Sequence, residues 1–141
     1  MVKKKKRITV IDWVNMGIFP CVVMFSVGNT RDQICKYLKK IGADGWLRAI
    51  EDVPIDPGCW YGLKRDVENL RTKETTTYLF IIAPRFEFLD DDFVKLAHEI
   101  LHVCQFYLPD VNVNRDKEIE CEAYTHTHIM RQCLKILRGI K

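Results

Sequence analysis

The hydrophobic pattern divides the chain into a first half of strand and turn and a last third of helix. Ile8–Trp13 is β-branched and aromatic, with Ile8, Val10 and Asp12 alternating against Thr9, Ile11 and Trp13, which predicts a strand. Cys21–Val27 is a second apolar strand candidate. Asn29 or Thr30 can cap a helix running to about Ile41, because Ile34, Tyr37, Leu38 and Ile41 recur at i, i+3, i+4 and i+7. Gly42 follows as a natural end residue. The stretch 43–57 is ambiguous, with a short helix around Trp46–Ile50 and then a proline-rich turn ending at Gly58. Cys59–Leu63 reads as a short strand. Thr75–Ala83 is the strongest strand signal, and Pro84 ends it.

The last third changes period. Asp90 is a suitable N-cap for a helix from Asp91 to about Leu108, with Asp91 and Asp92 in the first turn, where the helix dipole favours negative charge. Pro109 should stop it. A polar loop over Val111–Asp116 leads to a final helix from about Lys117 to Arg138, followed by Gly139. The expectation is an α+β fold: a small, mostly antiparallel sheet and a helix near residues 30–41, packed on two C-terminal helices.

At 141 residues one domain is expected, over residues 8–141, preceded by a basic arm at residues 1–7. The 48% hydrophobic and 29% charged fractions exclude a disordered chain, a collagen and a membrane bundle. The net charge of +3 resides in the arm, where Lys3, Lys4, Lys5, Lys6 and Arg7 stand together, and the body is nearly neutral. Such an arm can engage an acidic partner or remain solvated. It has no interleaved aromatic residue for base stacking, so nucleic acid is not the expected partner.

The six cysteines, at 21, 35, 59, 104, 121 and 133, form no C-x-x-C, which argues against a zinc knuckle or thioredoxin site. Asp12, Asn15 and Pro20 interrupt the only stretch resembling an export signal, and no 18-residue apolar span exists. Reduced thiols in a cytoplasm, with neither signal-peptide secretion nor a membrane partner, are therefore expected.

The chemistry lies in His98-Glu99-Ile100-Leu101-His102, an H-E-x-x-H. Chance would produce it about once in 150 chains of this composition, so the motif carries weight. Residues four apart share one helix face, so both imidazoles can address a single Zn²⁺, and Glu99 flanks it as a base for a metal-activated water. At about 100° per residue, Phe93, Leu96, Ala97, Ile100, Leu101, Val103 and Cys104 fill one arc. His98, Lys95, Glu99, His102, Gln105 and Phe106 occupy the opposite one. The histidines therefore point to a cleft and away from the core.

A catalytic zinc site needs a third protein ligand. Glu118, Glu120, Glu122, His126 and His128 are the candidates. If Ile119, Ala123, Met130, Cys133 and Leu137 form the buried stripe of the last helix, Glu122 and His126 fall within it. Glu120 and His128 turn away, and Glu118 is borderline. A carboxylate on a buried face is costly unless paired or metal-bound, which favours Glu122. A salt-bridged Glu122 is the plain alternative. His126, one turn beyond, can be a partner to a ligand, an oxyanion donor, a substitute ligand or a packed core histidine.

His98–His102 followed by Glu122-Ala123 resembles the gluzincin arrangement, H-E-x-x-H on one helix completed by a Glu on the next. From Tyr78-Leu79-Phe80-Ile81-Ile82 through HEILH to Glu122-Ala123-Tyr124 the chain also resembles small zincin-like proteins encoded by tailed phages. The resemblance covers about Thr76–Leu137. It departs from the pattern at Leu101, where a Gly often precedes the second His, and the absence of an H-x-x-G-x-x-H extension excludes a metzincin.

The resemblance implies a zincin-like fold and a zinc-dependent metallopeptidase. His98, His102 and Glu122 would hold Zn²⁺, Glu99 would be the general base, and His126 is preferred to Tyr124 or Tyr107 for supporting the oxyanion. It also implies that an edge strand, Thr76–Ala83 or a neighbour, binds an extended peptide by strand addition. The other function it implies is a virion structural or assembly component of neck, tail or capsid, with no or residual activity. In that case the basic arm would meet phage structural proteins. The expected location is the host cell cytoplasm or the virion.

Overall fold

The computed structural model describes residues 7–17, 19–111, 113 and 118–140, without the side chains of residues 20 and 140. Residues 1–6 of the basic arm and most of the expected loop after residue 111 lie outside the described residues. The elements are β1 (Val10–Met16), β2 (Phe19–Val27), α1 (Arg31–Lys40), α2 (Asp44–Glu51), β3 (Tyr61–Glu68), β4 (Thr75–Ala83), α3 (Asp90–Asp110) and α4 (Ile119–Ile140). The chain is thus α+β, as its changing period implied.

The four strands form one sheet in the order β1-β2-β4-β3. β1 pairs with β2 and β3 with β4 antiparallel, but the central β2–β4 pair is parallel, so the sheet is mixed. The two faces follow from strand alternation. Leu79, Ile81 and Ala83 of β4 join Val23, Phe25 and Val27 of β2 against Leu96, Ile100, Val103 and Cys104 of α3 and Ile129, Cys133 and Leu137 of α4. Phe80, Ile82 and Met24 pack on the other side against Ile34 and Leu38 of α1 and Ala49 and Ile50 of α2. The sheet is therefore sandwiched between two helical layers.

The position of β4 corrects one expectation. Thr75–Ala83 is hydrogen-bonded on both sides and is not an edge. Its continuous apolar run is the signature of a strand buried on both faces. The edge on that side is the neighbouring β3, whose Lys64, Arg65, Asp66 and Glu68 give it the charged character that discourages uncontrolled pairing.

Helix ends are set by short-range polar contacts. Thr30 caps α1, its hydroxyl accepting from the Gln33 amide at 3.2 Å while the Gln33 side chain accepts from the Thr30 amide at 2.8 Å. At α3 the work expected of Asp90 is done by Asp92. Asp90 is already helical, and the buried Asp92 carboxylate reaches back to accept from the amides of Glu87 at 2.7 Å and Leu89 at 3.3 Å. Asp92→Ala leaves both donors without that partner and is expected to cost about 1–3 kcal/mol in urea unfolding. A change below about 0.5 kcal/mol, the size of an ordinary surface substitution, would show that Asp92 does not fix this helix start. Pro109 lies inside the last turn of α3, which ends one residue later, instead of stopping it beforehand.

The buried stripe of α4 is also displaced from the expected one. Thr125, Ile129, Cys133 and Leu137 are buried, whereas Ile119 is 67% exposed and Ala123 is exposed. The first turns of α4 overhang the domain and border an open groove. All six cysteines are free thiols, and burial pushes the Cys133 thiol far up. Among the described residues, no helix is long and apolar enough to cross a membrane.

Candidate metal centre

α3 buries Leu96, Ile100, Val103 and Cys104 against the sheet, so its opposite side carries the H-E-x-x-H residues. There the donor atoms of His98, Glu99 and His102 lie within 4.8 Å of one another. His98 is exposed, His102 half-buried, and Glu99 only 8% exposed. The two imidazoles meet edge to face, with ring centroids 4.3 Å apart. Glu99 Oε2 stands 3.2 Å from His102 Nδ1. Phe106 continues the ladder, its ring 6.2 Å from that of His102.

The edge strand approaches this turn closely because of Gly62. A methyl group at that position would overlap the Glu99 carbonyl oxygen. Further along β3, Lys64 Nζ bonds Asp110 at the end of α3 at 2.7 Å and pairs with Asp66 at 3.3 Å. The hydrogen bond to Asp110 raises the Lys64 pKa, and the hydroxyl of Thr77 holds the Asp66 carboxyl below its usual range. β3 is thereby fastened to α3 at the level of the histidine pair and again at the end of the helix.

The donor set fits a borderline divalent ion. Two imidazoles and a carboxylate suit zinc, although they do not select it over related transition metals. Tetrahedral zinc, with bonds of about 2.0–2.1 Å, brings its donors about 3.3 Å apart. The observed spread is wider, so binding requires the side chains to draw together, and the exposed His98 has room to move.

The other predicted residues lie on α4. Glu122 and His126, one turn apart, line an open groove of about 390 Å³ with Leu101, Ile119, Ala123 and Thr127. The structure does not bring Glu122 into the three-donor group. His126 Nε2 is 2.9 Å from the Ala97 carbonyl oxygen, which accepts its proton, so this nitrogen is committed to the α3 backbone. His128 lies away from the histidine pair, but it is not turned from the domain as the helical wheel implied, because it packs on β1. Its Nε2 donates to Asn15 Oδ1 at 2.7 Å, and its ring stacks on Tyr124 with centroids 6.1 Å apart. Gln132 completes this clamp on β1 by donating to the Asn15 carbonyl at 2.8 Å. Glu118 and Glu120 are exposed.

No protein-family model, curated protein or solved structure matches the chain. What is shown is an α+β chain with a His-Glu-His group able to hold a metal ion. Two features of the site escaped the sequence reading. One is Gly62, whose signal was an isolated glycine inside a strand pattern, a common mark of close backbone approach. The other is the Glu99–His102 contact, for which the i, i+3 spacing was available.

Proposed function

We propose that this protein is a zinc-dependent metallopeptidase. The observation that carries the reading is the convergence of two imidazoles and a buried carboxylate on the side of α3 next to β3, the edge strand among the described residues. His98 and His102 hold the ion in this reading. Glu122 is assigned as the third holder on the resemblance alone, since the groove it lines includes Leu101 but none of His98, Glu99 or His102. Zinc, when bound, supplies Lewis-acid polarisation of a carbonyl and a water that ionises near neutral pH.

The remaining roles belong to the chain. An extended peptide adds to the outer edge of β3, whose described pairing is with β4. Glu99, shielded from bulk water and next to the histidines, accepts the proton of the attacking water and returns it to the leaving amine. His126 holds α4 against the turn that bears His98, through its bond to Ala97.

The test is metal analysis of the purified protein, followed by a casein or peptide-library cleavage assay with and without a zinc chelator. About one equivalent of zinc is expected, with cleavage that the chelator abolishes and added zinc restores. One equivalent of zinc without cleavage of any substrate would favour a structural ion in a virion assembly component. No bound zinc would remove both the ion and the peptidase.

A further inference from the structure

Glu99 makes a contact that a general base does not require. Its Oε2 lies 3.2 Å from Nδ1 of His102, one turn along the same helix. A carboxylate accepts, so Nδ1 must carry the proton. The neutral imidazole then has its lone pair on Nε2, the nitrogen left to meet a metal. We infer that Glu99 is also the positioning residue that fixes the tautomer and ring orientation of His102. This inference rests on the metal reading of the site.

The surroundings support the role. The His102 ring is confined on one side by His98, with centroids 4.3 Å apart, and on the other by Phe106 at 6.2 Å. Glu99 itself is 8% exposed, so water competes weakly for its oxygen. The turn that carries it is held by the backbone of β3 at Gly62.

Glu99→Gln and Glu99→Ala separate the two roles. Glutamine keeps an oxygen that can accept from Nδ1–H but is no longer a base, whereas alanine removes both functions. Zinc affinity of the full chain is measured by competition with a chromophoric chelator. Glu99→Ala is expected to bind zinc 10–100-fold more weakly, the usual loss when the carboxylate behind a ligating histidine is removed. Glu99→Gln should stay within a few-fold of the parent.

Equal affinity in Glu99→Ala and the parent would overturn the inference, as would equal weakening in both variants. If Glu99→Ala does not fold, nitrogen NMR of the metal-free parent decides. A proton on His102 Nδ1 supports the inference and a proton on Nε2 overturns it. The NMR result is independent of zinc, so failure of the parent to bind any metal would sink the peptidase reading without being mistaken for failure of this one.

Discussion

If the protein is the proposed zinc peptidase, Glu99→Gln is expected to lower peptide hydrolysis by about 10²–10⁴-fold while leaving the protein folded and able to bind zinc. The substitution is nearly isosteric at a site that is only 8% exposed, so the packing between α3 and β3 has no reason to change. The amide oxygen still accepts from His102, so the second imidazole keeps its orientation. On the proposed function, what disappears is the group that would take a proton from water and return it to the departing amine. The effect should therefore appear in kcat, with little change in KM, because no contact with an extended peptide on the edge strand is removed. Turnover numbers, zinc content and a thermal melt of the same preparations check this. Unchanged kcat in a folded, zinc-loaded variant would mean that another group activates the water.

The elements that carry the site were largely legible because their signals are local. H-E-x-x-H reports its own geometry once the segment is helical, and the opposite arc of Leu96, Ile100, Val103 and Cys104 makes it helical. Of the two cap candidates Asn29 and Thr30, the structure selects Thr30, completed by Gln33. Long-range order was less legible. Nothing within Phe19–Val27 or Thr75–Ala83 states that the two lie parallel, since pairing partners are chosen by the packing of both helical layers. β3 was read as ending at Leu63 but continues through Lys64, Arg65 and Asp66 to Glu68, because an edge strand tolerates charges that a central one would not. The α4 stripe was misplaced for a related reason. Ile119 and Ala123 look like core residues by spacing, but the helix begins before the core does. That displacement bears directly on Glu122, whose assignment as a ligand used the same stripe.

Gly62→Ala is expected to destabilise the fold by about 3 kcal/mol, the upper end of the range for overpacking. Elsewhere, replacing glycine by alanine usually stabilises a chain by about 0.4–1 kcal/mol through the entropy of the unfolded state. Gly62 is not among the glycines with positive φ, so backbone conformation does not oppose alanine there. The opposition is contact: the added carbon would lie 2.9 Å from the Glu99 carbonyl carbon and 3.1 Å from its Cα, besides overlapping the carbonyl oxygen. These are backbone atoms within a helix and cannot rotate away as a side chain would. Strand and helix must separate, and the turn bearing Glu99 moves with them, so zinc affinity should fall alongside stability. Gly139→Ala supplies the contrast, because it lies in α4 with nothing within 4 Å of an added carbon. That variant should gain at most about 0.5 kcal/mol, because Gly139 stands next to the end of α4, where helix propensity counts for less than in the middle. Urea unfolding of the two variants should therefore give opposite signs, and a neutral Gly62→Ala would show that β3 does not grip the turn of α3 that carries Glu99.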